Sequence, residues 1–101
     1  MRIVNILCVC GSGTATSAML AAKLRDVLEE HGYDCDTDET NPPGIATAVM
    51  TRAWDLIAYT SPVEEDYGIP MLNATGFLVG INEDEFIEQL MEAVGKLDLS
   101  E

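Results

Sequence analysis

Residues Arg2–Cys10 form a short, strongly apolar run rich in Ile, Val and Leu, the pattern of a strand buried on both faces of a parallel sheet. The period then changes. From Thr16 to His31 the residues Met19, Ala22, Leu24, Val27 and Leu28 recur at helical spacings, hydroxyl residues stand at the start, and His31-Gly32 supplies a glycine stop. Tyr33–Glu39 alternates weakly, as an edge strand does. Asn41-Pro42-Pro43 then places an N-cap before prolines suited to a first helical turn, predicting a short helix to about Arg52. Asp55–Tyr59 reads as a third strand, and Ile69–Leu72, which contains Pro70, as a short fourth one at the border of the sheet. Asn82-Glu83-Asp84-Glu85 has the spacing of a capping box, with Asn82 as cap and Glu85 three residues on. It opens an amphipathic helix through Phe86, Ile87, Leu90, Met91, Val94 and Leu97.

Strands that alternate with helices imply a parallel sheet with right-handed crossovers and helices on both faces, a small doubly wound α/β domain. With 101 residues and 48% of them hydrophobic, the chain suffices for one core, so residues 1–101 are expected to form a single domain. No internal repeat or low-complexity linker divides it. In such sheets ligands bind beyond the carboxyl ends of the strands, and the first β-α loop is the leading position. That loop begins at Cys10.

Charge narrows the ligand. There are 18 acidic against 5 basic residues, a formal charge of −13, which repels nucleic-acid backbones and anionic lipid surfaces. The acids are spread along 34–39, 64–66, 83–92 and the tail, as on a solvated surface, and the excess suggests adaptation to high salt, where self-repulsion is screened. No stretch has the length of a membrane span, and residues 1–10 lack a signal peptide's apolar region and cleavage site, so a cytoplasmic protein is expected, reaching a membrane only through a partner. Three cysteines, Cys8, Cys10 and Cys35, fit reduced thiols better than a disulfide framework. With a single distant His31 they make no zinc set, and neither a metal nor another cofactor is expected.

The loop Cys10-Gly11-Ser12-Gly13-Thr14-Ala15-Thr16-Ser17 carries the candidate chemistry. Glycines allow the backbone to approach a ligand closely and its N–H groups to converge on an anion. The helix N-terminus that follows adds about half a positive charge, so a phosphate can be held without a basic residue. The same positive end favours the thiolate of a cysteine placed there, and the thiolate is the nucleophile. Cys10 is therefore the candidate phosphoryl acceptor. The amides of Gly11, Ser12, Gly13, Thr14, Ala15, Thr16 and Ser17, with the hydroxyls of Ser12, Thr14, Thr16 and Ser17, are the candidate phosphate contacts. Thr16 and Ser17 serve equally well as plain N-caps. Cys8, two residues back on the same strand face, and Cys35 read as structural; His31 reads as a helix-end residue. Asp34, Asp36, Asp38 and Glu39 read as a solvated edge, and Trp54, Phe77 and Phe86 as packing. Tyr59-Thr60-Ser61-Pro62 ends the third strand on the same edge as Cys10 and is a candidate for supporting or docking contacts.

Two stretches resemble the B subunits of the bacterial phosphoenolpyruvate-dependent sugar phosphotransferase system, the galactitol-type branch in particular. One is Val9-Cys10-Gly11-Ser12-Gly13-Thr14-Ala15-Thr16-Ser17 with the helix ending Leu28-Glu29-Glu30-His31-Gly32, and the other is Gly76-Phe77-Leu78-Val79-Gly80-Ile81. The resemblance covers nearly the whole chain and implies a four-stranded parallel sheet, no metal, and a phosphocysteine at Cys10. It further implies that a phosphohistidine on an A subunit (IIA) is the donor and that a sugar or polyol at a membrane-embedded C subunit (IIC) is the acceptor. The chain departs from the family pattern in its acidity and at Thr14, where the pattern has an aliphatic residue.

Three other readings compete. Low-molecular-weight tyrosine phosphatases and arsenate reductases have a similar loop with an arginine six residues after the cysteine, and Thr16 stands there instead, without the bidentate clamp that hydrolysis needs. A dinucleotide-binding module would use Gly11-x-Gly13 and an acid such as Asp36 or Asp38, but Thr16 replaces its third glycine and Cys10 would have no task. A phosphate-sensing regulatory domain is the third.

Overall fold

The computed structural model describes residues 3–11, 14–61, 63 and 67–97, with the backbone alone for 14–17. The elements run β1 (Val4–Val9), α1 (Thr14–Glu30), β2 (Cys35–Thr40), a 3-10 turn (Pro42–Gly44), α2 (Ile45–Thr51), β3 (Leu56–Tyr59), β4 (Met71–Asn73), α3 (Thr75–Val79) and α4 (Glu83–Gly95). The four strands lie in the order β2-β1-β3-β4 and every pair is parallel. The alternation is that of the doubly wound α/β class, as the sequence predicts.

Strand β1 lies between β2 and β3, which explains its composition. Its side chains alternate between two apolar layers. Val4, Ile6, Cys8 and Cys10 join Leu56 and Ala58 of β3 beneath α1 and α4, where Leu20, Ala21, Leu24, Leu28, Phe86, Leu90 and Val94 close the layer. Leu7, Val9 and Ile57 face the other way, onto Ile45 of α2, Trp54, and the partly buried Val63, Tyr67 and Ile69. A central parallel strand covered on both faces must be apolar on both, and the edge strand β2 need not be: Asp36, Asp38 and Glu39 are exposed.

The first helix buries the i, i+4 line Leu20-Leu24-Leu28, not the line through Met19 and Ala22, which are exposed. It also begins at Thr14, two residues before the sequence-based start. His31 lies just past its end, with Nδ1 2.8 Å from the Val27 carbonyl, and Gly32 takes the left-handed turn at φ 84°. Asn41 caps the 3-10 turn as expected, its Oδ1 accepting from Gly44 N at 3.0 Å.

The capping box at Asn82 does not form. Asn82 occupies the N-cap position but lies in the left-handed region at φ 55° and makes no side-chain cap bond. The cause is the preceding helix α3, which the apolar pattern does not reveal. Helix α3 ends at left-handed Gly80, and Ile81 N returns to Gly76 O at 2.8 Å, so the chain reaches Asn82 already turned. Lys23 of α1 ties this turn down, donating to Phe77 O and to Glu83 Oε1, both at 2.6 Å, with Nζ 4.7 Å from the Phe77 ring centroid.

At the opposite, amino-terminal edge of the sheet, Arg52 donates to Asn5 Oδ1 and to Asp36 Oδ2, the latter at 3.0 Å, and stacks over Trp54. A further ion pair joins Lys96 to Glu92 at 3.4 Å. Five bases cannot neutralise 18 acids, and α1 ends in Glu29 and Glu30 with no basic residue in its last turn, against its dipole. Added molar salt screens this repulsion and is expected to raise the melting temperature by about 4–8 °C for each kcal/mol relieved at this chain length. A thermal melt in 0 to about 2 M KCl checks it, and an unchanged midpoint rejects the high-salt reading.

Candidate functional site

The candidate site is the carboxyl edge of the sheet, where all four parallel strands end. Cys10 extends β1 by one residue, its N–H donating to Thr40 O at 3.0 Å. Beside it, Thr60 N donates to Val9 O at 2.9 Å and Ala74 N to Tyr59 O at 2.8 Å, so β3 and β4 are extended in the same register. Cys10, Thr60 and Ala74 therefore stand side by side across the edge. Gly11 turns the chain out of the sheet, and its backbone meets the side chain of Ser61 so closely that a Cβ at residue 11 would overlap the Ser61 hydroxyl. A larger residue there would force the Ser61 side chain aside; the constraint on Gly11 is contact, not an unusual φ.

Beyond the edge, α1 begins four residues after Cys10 and runs for 17 residues away from it. A first helical turn leaves its N–H groups without intrahelical acceptors, and these carry the positive end of the dipole. The first turn of α1 contains no acid, whereas that of α4 contains Glu83, Asp84 and Glu85. In so acidic a chain, the helix end nearest Cys10 is left free of its own carboxylates. Of the eight sequence-predicted loop residues, Cys10 and Gly11 are described in full and Thr14, Ala15, Thr16 and Ser17 as backbone in the first turn of α1. Ser12, Gly13 and the side chains of Thr14 to Ser17 lie outside the described residues, as does Pro62.

The two other thiols are differently placed. Cys8 is fully buried, and burial, followed by the neighbouring Cys10, Cys35 and Glu39, pushes its thiol from 9.0 up to about 12. Burial likewise pushes Cys35 up to about 12. Both remain protonated at neutral pH and are poor nucleophiles. Cys10 is 3% exposed and is the last residue of β1's run in the same layer.

Sequence reasoning missed Asn73 and Thr75. Thr75 N donates to Asn73 Oδ1 at 3.0 Å, an Asx turn that ends β4, and the Thr75 hydroxyl donates to Thr60 O at 3.4 Å. The signal was Asn73-Ala74-Thr75 directly after Met71-Leu72. A cleft of about 250 Å³ opens beside these two residues, floored by Phe77 and Phe86 and rimmed by Asn82, Glu85 and Gln89; Cys10 does not line it. Among the described residues no group of His, Cys, Asp and Glu is placed to hold a metal, and no helix is long and apolar enough to cross a membrane.

A family model described as the phosphotransferase system lactose/cellobiose specific IIB subunit matches residues 5–89, from β1 into α4. The chain belongs to this IIB family. SgcB of Escherichia coli (strain K12), which carries the provisional name phosphotransferase enzyme IIB component, is 38% identical over 86 residues, 85% of this chain and 91% of its own. Two solved IIB structures share the fold. The lactose-specific IIB domain of Streptococcus pneumoniae superposes with a TM-score of 0.57 at 17% identity, covering 91% of this chain and 98% of that one. A IIB subunit from Escherichia coli K12 gives 0.55 at 18%, covering 94% and 96%. Membership makes the chain a phosphoryl-transfer component of sugar transport, in which IIB components work with IIA and IIC subunits. It sets aside the phosphatase and dinucleotide readings.

Proposed function

We propose that Cys10 is the phosphoryl carrier of this IIB component, acting as a single domain across residues 1–101. The observation that carries the reading is the placement of one thiol at the carboxyl end of the central strand, before a helix whose first turn has no acid, while the other two thiols are held protonated. Gly11, Ser12, Gly13, Thr14, Ala15, Thr16 and Ser17 hold the phosphoryl oxygens.

In the first step the Cys10 thiolate attacks the phosphorus of a phosphohistidine on the IIA subunit. The S–P bond forms as the N–P bond breaks, and the bonding pair returns to the ring nitrogen, leaving neutral imidazole if the other nitrogen carries a proton. In the second, a hydroxyl oxygen of the sugar or polyol held by IIC attacks the same phosphorus. The S–P pair returns to Cys10 as thiolate, and the hydroxyl proton passes to water or a base. The loop amides and the α1 N-terminus offset the charge on the phosphoryl oxygens in both directions. The absence of an arginine at Thr16 leaves the phosphocysteine less activated toward water, as a carrier requires. The protein works in the cytoplasm and meets the membrane through IIC.

For the acceptor we take a polyol of the galactitol type, on the strength of the Gly76–Ile81 segment; the matching family model carries the lactose/cellobiose description. Phosphorylated chain is mixed with vesicles bearing the cognate IIC, and its discharge is followed with galactitol, lactose or cellobiose. Discharge by galactitol is expected; discharge by lactose or cellobiose alone rejects the polyol assignment and leaves Cys10 untouched.

A further inference from the structure

We infer that the Thr60 hydroxyl is a phosphoryl-binding group, donating a hydrogen bond to an oxygen of the phosphoryl group on Cys10. The inference rests on the reading of Cys10 as the carrier. Its basis is strand register. Val9 pairs with Tyr59 and Tyr59 with Asn73, and the bonds Thr60 N to Val9 O and Ala74 N to Tyr59 O carry that register one residue further. Thr60 is thus the residue beside Cys10 on the neighbouring strand, about 4.8 Å away across a parallel pair.

The two side chains also share a face. Ala58 of β3 packs in the layer beneath α1 and α4, Tyr59 in the layer beneath α2, and side chains alternate. Thr60 falls back on the first layer, the one that holds Cys10 on one side and the fully buried Ala74 on the other. A phosphoryl group on Sγ would extend past the end of β1, where the half-buried Thr60 is the neighbour of Cys10 on β3.

Thr60 is held firmly. Its N–H donates to β1, and its carbonyl accepts from the Thr75 hydroxyl, which the Asx turn at Asn73 sets in place. Ser61, next in the chain, is lodged against Gly11. A threonine whose backbone is bonded on both sides and whose χ1 is restricted by β-branching has little freedom left to lose when its hydroxyl meets a developing oxyanion. A chain with 5 basic residues and 18 acidic ones has reason to use hydroxyls for this purpose.

Thr60→Val keeps the shape and removes the donor; Thr60→Ser keeps the donor. Each full-length variant is mixed with phosphorylated IIA under single-turnover conditions, and the rate of phosphoryl uptake is measured with the 31P resonance of the product. Thr60→Val is expected to slow uptake by about 10- to 100-fold, the range for one hydrogen bond to a charged group, and to move the 31P resonance. Thr60→Ser is expected to restore both within about threefold, melting temperatures being alike. Uptake by Thr60→Val within about twofold of wild type, or equal losses in the two variants, overturns the role of the hydroxyl. Failure of the wild type itself to take up phosphate overturns the carrier reading instead.

Discussion

Cys10→Ser is expected to abolish phosphoryl transfer to sugar in a system reconstituted with IIA and IIC, leaving only background turnover. A serine hydroxyl at the same point keeps the size and the backbone bond to Thr40 O, so the fold should be retained. What is lost is the nucleophile. A thiol reaches its anionic form within a unit or two of neutral pH, while an alcohol needs an adjacent base to be activated. No titratable side chain takes that place among the described edge residues Thr40, Asn41, Thr60, Ser61, Asn73 and Thr75. The loss should exceed about 10³-fold, against at most a small shift in melting temperature. Cys8→Ser and Cys35→Ser serve as controls: both thiols are protonated at neutral pH and neither lies at the edge, so turnover by the folded variants should be nearly unchanged.

Phe77→Ala has the largest expected effect on stability, a loss of about 3–5 kcal/mol. Phe77 is 2% exposed, its ring is stacked on Phe86 with centroids 4.5 Å apart, and Lys23 stands over it. Truncation opens a cavity in the layer that also holds Cys10 and removes the surface on which Lys23 rests. For a domain near 100 residues the melting point should fall by more than about 10 °C. Phe77→Leu, which keeps most of the volume, should lose much less. Calorimetry of the three proteins checks this, and a fall of only a few degrees in Phe77→Ala would show that α3 contributes little to the core.

The parts of the fold that the sequence discloses are those where one physical demand dominates. Central strands need apolar side chains on both faces, and runs as uniform as Ile6–Val9 and Leu56–Tyr59 leave no choice of face to resolve. Helix α3 is different. Its five residues include Gly76, and its stability comes from the Asx turn at Asn73 and from Lys23, a residue 54 positions from Phe77. No local pattern carries such contacts. The failed cap at Asn82 has the same origin, since residue types give the capping-box spacing but Gly80 and Ile81 decide the backbone angle at which the chain arrives. On α1 the expected Leu24, Val27 and Leu28 do pack on the core. Met19 and Ala22 are exposed, whereas the adjacent Leu20 and Ala21 are buried, a choice between neighbouring apolar residues that only the packing makes.

The site divides along the same line. Cys10 is legible because a cysteine at a strand end before glycines and hydroxyls has a chemical meaning of its own. The sequence places Thr60 only in a four-residue stretch, Tyr59 to Pro62, at the same edge as Cys10. The register of β1 with β3, fixed by the long-range pairing of Val9 with Tyr59, singles it out as the neighbour of Cys10. The contact of Ser61 with Gly11 is likewise a product of the fold, since nothing local in either segment says that the two face each other.

Intact-protein mass spectrometry of the wild-type chain after incubation with phosphorylated IIA tests the central claim most directly. The account predicts a single added phosphoryl group, located at Cys10 by fragmentation and absent from Cys10→Ser. No added group from a IIA shown to be competent on another IIB subunit, or a group at any other residue, would contradict it.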